Sequence, residues 1–321
     1  MTTSVCMGTY NGEKYIEKQL YSILHQTKKP DEVILCDDGS TDKTVEIIKE
    51  FISQNQLEHS WKLYQNTENK GYPANFYYAC SLCTKEVVFL ADQDDIWAEK
   101  KLERMCEVLG KQQEIKAVCC KFGLIDAEGA NIHTVMAPTH NRGTGQLRKV
   151  TIDNVFYKCE WPGMVIAYRN AWFQNISSTW ECVSKGNNQC GIINKIPHDF
   201  LICAKAAEDK GFLQMDEELA YHRRHDNNVG GEEHRLAKLL NKTRKMKEIE
   251  DYLRILEAFE QEKVLQTEEG SAALERKLKS MQGRYEALCS GKISKVLGNA
   301  WRQRKEVRLA TVVCDLVIVK G

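Results

Sequence analysis

The sequence predicts an α/β fold, a doubly wound sheet with its loops gathered at one edge, followed by a helical C-terminal extension. Three observations predict it. Short apolar runs of β-favouring residues alternate with stretches of helical periodicity through the first third of the chain. Polar turns separate them, and in such a sheet those turns meet at one edge. Two of the apolar runs end abruptly in carboxylates, and ligands of open α/β sheets bind at the carboxyl ends of strands.

The first element is Ser4-Val5-Cys6-Met7-Gly8, a short buried strand running into the polar turn Thr9-Tyr10-Asn11-Gly12. Ile16, Leu20, Ile23 and Leu24 recur at helical spacing, so residues 13–26 form a helix that Pro30 follows. Val33-Ile34-Leu35-Cys36 is the second strand. It stops in Asp37-Asp38-Gly39-Ser40-Thr41-Asp42, where Gly39 permits a tight turn and Ser40, Thr41 or Asp42 caps a helix carrying Val45, Ile48, Phe51 and Ile52. A third strand lies near residues 61–64 and a helix over residues 73–83. Val87-Val88-Phe89-Leu90-Ala91 then reads as a strand buried on both faces, ending in Asp92, Asp94 and Asp95. Residues 99–109 read as a helix and 115–122 as a further strand.

Clustered carboxylates repel one another unless a cation compensates them. Hard oxygen ligands in this number suit Mg²⁺ or Mn²⁺, which bridge to phosphates, so the acids after residue 91 predict a metal–nucleotide site. A solvated acidic turn is the plainer alternative for an isolated Asp-x-Asp. The chain has neither a Gly-x-Gly-x-x-Gly turn nor a phosphate-cradling Gly-rich loop ending in Lys-Ser/Thr, which counts against a dinucleotide oxidoreductase or a P-loop phosphotransferase.

Composition narrows the class. With 321 residues, 42% hydrophobic and 28% charged, the chain has the make-up of a globular protein with one large core or two domains. Lys plus Arg and Asp plus Glu both number 45, so nothing in the net charge predicts a nucleic-acid partner. The 13 cysteines are scattered, several within apolar runs, and the amino terminus lacks the basic start and apolar stretch of a signal peptide; we expect reduced thiols in the cytoplasm. Cys80 and Cys83 have redox or metal spacing without a second pair, and read as helix-packing residues. No apolar run reaches the length of a membrane span.

Taken together, Thr9-Tyr10-Asn11-Gly12, Asp37-Asp38-Gly39-Ser40-Thr41-Asp42 and Asp92-Gln93-Asp94-Asp95-Ile96-Trp97 resemble the family 2 glycosyltransferases of the GT-A fold, closest to the bacterial rhamnosyltransferase-like branch. The resemblance covers about the first 230 residues. It implies a Rossmann-like mixed sheet and an inverting, metal-dependent hexosyltransferase using a nucleotide-diphospho-sugar donor. It puts Thr9, Tyr10, Asn11, Glu13 and Asp38 on the nucleotide and Asn69, Gly71 and Asn75 in a donor-side loop. Asp92 and Asp94 hold Mg²⁺ or Mn²⁺ against the donor, with Asp94 the direct ligand.

Residues 129–149 are long and polar and read as a loop that orders over substrate. The resemblance makes the stretch Trp161-Pro162-Gly163-Met164 the acceptor side, with Trp161 and Gly163 as contacts; on local sequence alone it is equally a turn before a buried strand. An inverting displacement needs a base on the acceptor hydroxyl, and the family pattern implies Asp199 for that role, with His198 orienting the acceptor. A helix cap is the alternative for Asp199. The stretch His222-Arg223-Arg224-His225-Asp226-Asn227-Asn228 resembles the end of the family's catalytic domain, with Arg223 on the diphosphate and His225 a metal ligand; a solvated basic turn is the plainer reading. The Gln-x-x-Arg-Trp motif of processive relatives is absent, which counts against a polymerising synthase.

We therefore expect a catalytic domain over 1–231 and a C-terminal amphipathic helical region over 232–321. In the latter, Leu236, Leu239, Leu240, Met246, Ile249, Leu253, Leu256 and Phe259 form one stripe and Leu274, Leu278, Met281, Tyr285 and Leu288 a second, the pattern of a helical hairpin packed on the catalytic domain or on a second subunit as a homodimer. Its basic and apolar end suits either the inner face of an anionic plasma membrane, as a peripheral contact, or an ordinary docked terminus. Resemblance to the branch implies dTDP-rhamnose as donor and a cell-surface polysaccharide or lipid-linked glycan as acceptor. The rival readings are a nucleotidyltransferase, or a noncatalytic scaffold of the same fold.

Overall fold

Each apolar run of the first third becomes a strand, and the strands register so that the two acidic ends flank the end of the first strand. The computed structural model describes residues 1–132, 145–158, 161–176, 195–225, 241–304 and 306–320. In chain order the early elements are β1 (Thr3–Thr9), α1 (Ile16–Leu24), β2 (Glu32–Asp37), α2 (Thr44–Gln54), β3 (Trp61–Gln65), α3 (Tyr72–Leu82), β4 (Val87–Asp92), β5 (Ile96–Trp97), α4 (Lys101–Lys111) and β6 (Ala117–Ile125). Then come β7 (Leu147–Lys149), α5 (Ile152–Lys158), a 3₁₀ turn (Gly163–Val165), β8 (Ile166–Arg169), α6 (Asn170–Gln174), α7 (His198–Glu208) and β9 (Phe212–Arg223).

Among the described residues these strands form one nine-stranded sheet in the order β3-β2-β1-β4-β8-β6-β9-β5, with β7 paired to β9. β3, β2, β1 and β4 are mutually parallel, whereas β8 runs antiparallel between β4 and β6. The sheet is thus the mixed α/β type expected. Val87, Val88, Phe89, Leu90 and Ala91 have no exposed surface, and burying each larger apolar side chain contributes ~1.5–3 kcal/mol. That burial fixes where β4 stops and hence where Asp92 emerges.

Two elements differ from the sequence reading for physical reasons. α1 starts at Ile16, because the Gly12 carbonyl accepts from the Tyr15 and Ile16 amides and closes a turn first. His222 and Arg223 end the twelve-residue strand β9 instead of lying in a basic turn; their polar side chains hide the strand from its period.

The chain divides into two compact units, Met1–Thr151 with Glu160–Arg224, and Ile152–Cys159 with His225–Gly321. The second is helical: α5, then α8 (Lys242–Gln261), α9 (Glu268–Ser290), α10 (Ile293–Arg302) and α11 (Leu309–Lys320). Asn241 and Thr267 cap α8 and α9 by accepting from the amides of Arg244 and Gly270, both at 3.0 Å, and Gly291 ends α9 in the left-handed region that favours glycine. The hairpin stripe expected at Leu236, Leu239 and Leu240, and residues 133–144 of the expected substrate loop, lie outside the described residues.

Candidate active site

Register builds the site. Thr9 lies opposite Asp37 and Gly8 opposite Asp92, so the turns after β1, β2 and β4 leave the sheet at one level. Asp37 is the structural acid of its pair. It accepts from Thr9 Oγ1 at 3.0 Å and from the amides of Gly39 and Ser40, so it shapes the turn and is spent there. Asp38 faces the other way and fastens the loop before α3. Its Oδ1 accepts from Asn66 Nδ2 and the Lys70 amide, both at 2.8 Å, and its Oδ2 from the Gly71 amide at 2.9 Å. Asn66 also donates to Asn75, which donates to the Cys36 carbonyl. Four residues expected at the donor, Asp38, Asn69, Gly71 and Asn75, are therefore joined in one hydrogen-bonded network, with Asn69 accepting from the Gly71 amide.

The first turn is tied to the same group of loops. Asn11 sits at a φ of 47°, and its carboxamide accepts from the Thr41 amide at 2.9 Å. Glu13 accepts from the Lys43 amide, and its own amide donates to Asp42. The Tyr10 ring remains exposed. Gln93, between the acids, was not singled out from sequence. Its carboxamide exchanges hydrogen bonds with the Tyr10 main chain and locks the first turn to the acidic one.

Asp92 keeps some exposed surface, yet its carboxyl group is held well above the ordinary carboxylate range, first by burial and then by the charges of Asp95, Asp94 and Asp199. Asp199, in the first turn of α7, is thus near enough to the acidic turn to be felt there, and its charge also raises Tyr72, after burial. Asp95 is fully buried: its Oδ1 accepts from the Arg223 amide at 3.0 Å and meets His222 Nδ1 at 3.1 Å. Burial lowers the His222 imidazole, but the hydrogen bond to Asp95 and the charges of Asp95 and Asp94 outweigh it, so His222 ends above its usual value. Lys101 is the counter-charge that sequence reading missed. It is wholly buried, donates to the Met164 carbonyl, lies 3.7 Å from the Trp97 ring centroid, and is drawn down to about 8 by burial despite the nearby acids. Its signal was available: a lysine on the apolar stripe of α4.

Three residues expected at ligands are buried. Arg223 is fully buried, with Nε on the Asp94 carbonyl at 2.8 Å, Nη1 on the Asp126 and Ala127 carbonyls, and its guanidinium 5.0 Å from the Tyr15 ring centroid. These bonds clamp the acidic turn from behind. Trp161 is buried edge-on against Phe212 and supports its segment from the core. His198 is buried too, stacked on Phe76 at 4.0 Å, lowered by burial, and neither ring nitrogen has a hydrogen-bond partner among the described residues. Gly163 sits against it: a Cβ there would lie 3.1 Å from His198 Nε2. His225 is half-buried and falls in the second unit, and Asp226, Asn227 and Asn228 lie outside the described residues.

Among the described residues no three His, Cys, Asp or Glu side chains form a cage for a metal ion. Magnesium in nucleotide sites is held by one or two carboxylates plus the substrate's phosphates, so the donor set of Asp92 and Asp94 fits it. The like charges that raise Asp92 are those a cation would relieve.

Comparison with known proteins completes the picture. In sequence, 109 residues are 36% identical to the dTDP-rhamnosyl transferase RfbG of Shigella flexneri, covering 32% of this chain and 36% of that protein. Other curated relatives are likewise matched over only 41% and 40% of their length. In structure, S. aureus TarS 1-349 in complex with UDP matches with a TM-score of 0.59 at 19% identity, over 100% of this chain and 88% of that one. The mannosyltransferase PcManGT from Pyrobaculum calidifontis, in complex with GDP-Man and Mn²⁺, matches at 0.51 and 16% identity, over 99% and 85%. At these identities the two structures speak for the fold. The sequence model described as Glycosyl transferase family 2 matches residues 4–169, just over half of the 321 residues and the span that holds all three acidic and polar turns. The chain belongs to glycosyl transferase family 2.

Proposed function

We propose that the chain transfers a hexose, with inversion, from a nucleotide-diphospho-sugar to a glycan hydroxyl, and that its donor is dTDP-rhamnose. The observation that carries the transfer chemistry is that Gly163 lies against both His198, the neighbour of Asp199 at the start of α7, and Leu90, two residues before Asp92 on β4, which brings the start of α7 to the acidic edge of the sheet. A base and a phosphate-side acid cluster on one edge suit a displacement at the carbon between them. The rhamnose assignment is supported by the relative that is a dTDP-rhamnosyl transferase.

In this reading the nucleotide lies on Thr9, Tyr10, Asn11, Glu13 and Asp38, with the exposed Tyr10 ring against the base. Asn69, Gly71 and Asn75 shape the donor side. Asp199 accepts the proton of the acceptor hydroxyl as that oxygen bonds to the anomeric carbon. The bond from that carbon to the diphosphate oxygen breaks on the opposite face, and the nucleoside diphosphate leaves with the electron pair. Asp92 and Asp94 would hold Mg²⁺ or Mn²⁺, which would supply charge stabilisation for that leaving group. The acceptor is a cell-surface polysaccharide or a lipid-linked glycan. We assign His198 and Gly163 to the floor of the acceptor side.

A thermal-shift screen of dTDP-, UDP- and GDP-sugars, each with and without Mn²⁺, on wild type and Asp94→Ala tests the donor half without an acceptor. Stabilisation by dTDP-rhamnose that needs both Mn²⁺ and Asp94 is the expected result. A shift by UDP- or GDP-sugars alone overturns the rhamnose assignment, and no shift by any nucleotide sugar overturns the donor site.

A further inference from the structure

The last two helices described leave apolar side chains exposed to water, with the Arg304 guanidinium 5.5 Å from the Trp301 ring centroid. On α10, Ile293, Leu297 and Trp301 recur at four-residue intervals and are 44%, 49% and 74% exposed. On α11, Leu309, Val313 and Val317 do the same at 79%, 52% and 46%. Both helices have a separate inward side. Val296 and Asn299 are buried on α10, and Asp315 and Ile318 on α11. Asp315 is the one acid of α11, and Arg284 of α9 holds it in a two-pronged ion pair of 2.7 and 2.8 Å. With that acid turned inward, the outer surface of α11 is apolar from Leu309 to Val317.

We infer that this outer face of α10 and α11 docks on an anionic lipid membrane. Charge selects the occupant. Lys292, Lys295, Arg302, Arg304 and Lys320 are all exposed around the apolar residues, whereas Glu306 lies beside Arg276 at 3.7 Å and Asp315 is spent on Arg284. An apolar stripe with a basic border and an exposed tryptophan is the make-up of a helix that lies in the headgroup region. Length excludes a span: twelve residues of α11 reach ~18 Å, against a hydrocarbon core of ~30 Å. No helix among the described residues is long and apolar enough to cross a membrane. A second copy of the chain fits less well, because a two-fold contact through this face would set the same cations against one another.

Flotation of the full chain tests this, with vesicles of phosphatidylcholine alone and of phosphatidylcholine mixed equally with phosphatidylglycerol, at low and high salt. Wild type is expected to float with the anionic vesicles, at least about tenfold above the neutral ones, and to lose that preference at high salt. Trp301→Ser combined with Leu309→Glu should lower the partition by roughly tenfold or more, while Leu309→Ile should keep it. Circular dichroism on each variant separates loss of the face from loss of the fold. The proposal is overturned if wild type does not float with anionic vesicles, or if the double variant floats as well as wild type. It is also overturned if wild type is a dimer by light scattering that the double variant splits, with no flotation of either. Vesicle binding needs no donor, so this result stands or falls apart from the transferase reading.

Discussion

Gln93 and Tyr10 exchange two hydrogen bonds of 2.9 Å, Tyr10 amide to Gln93 Oε1 and Gln93 Nε2 to the Tyr10 carbonyl. The pair is the strap between the turn after β1 and the acids after β4. Gly12 leaves room for it, since a Cβ on Gly12 would overlap Gln93 Oε1. Gln93→Glu removes the donor and adds a charge beside Asp92 and Asp94. Because the pair is exposed, we expect a stability loss of no more than about 1 kcal/mol, but a rise in donor KM of about tenfold from the displaced turn. Gly12→Ala should give the same phenotype. The two together should cost little more than either, as residues sharing one contact do; full additivity in donor KM would show that the strap does not act as a unit.

Asp199→Asn keeps the shape of the side chain and its bond from the Phe200 amide, which is 2.7 Å from Oδ1. A base removed from a displacement lowers kcat by roughly 10²–10⁴-fold. Donor-induced thermal shift should be unchanged. If transfer proceeds at the wild-type rate, Asp199 is a helix-end residue and the base lies elsewhere.

Gly163→Ala places a methyl group 3.1 Å from His198 Nε2 and 3.7 Å from Leu90. His198 has no room to yield, being stacked on Phe76 and edge-on to Tyr77. Overpacking of this kind destabilises by about 1–3 kcal/mol, readable as a lower denaturant midpoint with an unchanged slope. His198→Ala made in the same chain should recover most of that loss, because the methyl group then has space.

The fold was legible in the sequence because its parallel strands are fully buried, and burial on both faces writes a continuous apolar run such as residues 87–91. The acids announced themselves for the same reason: each interrupts such a run at a strand end. β9 was not legible, since it carries Asp216, Glu217, Glu218, His222 and Arg223, and such a strand reads as a polar loop. Nor does a residue's type reveal which way it faces. Arg223 has the chemistry of a phosphate fork, yet β9 turns it inward; Asp37 and Asp38 are adjacent and look alike, yet one shapes its own turn while the other anchors the loop before α3. Lys101 and Gln93 matter through partners distant in the chain, which no local pattern records.

Arg223→Lys separates the clamp from a phosphate contact. Lysine retains the charge but has no planar fork to reach the carbonyls of Asp94, Asp126 and Ala127 together. Leaving buried carbonyls unpaired costs about 1–3 kcal/mol each. The variant should therefore melt well below wild type without any donor present. Unchanged melting with a raised donor KM would return Arg223 to the diphosphate.

Asp92 and Asp95 both have carboxyls raised above the ordinary value by burial, and the neighbouring acids push the same way. For a group whose folded pKa is raised, the contribution to stability is complete below its unfolded pKa and is lost as pH rises through the folded one. In the metal-free protein these two groups should therefore withdraw their contribution to stability as the solution is taken from acid toward neutral. Asp92→Asn cannot ionise and relieves its neighbours, so its melting midpoint should exceed that of wild type at neutral pH, and the gap should close on the acid side. Adding Mn²⁺ at neutral pH should raise wild type and leave the variant where it was, because the cation supplies the same relief by another route. Parallel melting curves at every pH would mean that the acidic turn carries no strain for a cation to relieve. The stabilised variant should also be the inactive one, since the repulsion that Asp92→Asn removes is what prepares the turn for a diphosphate and its metal.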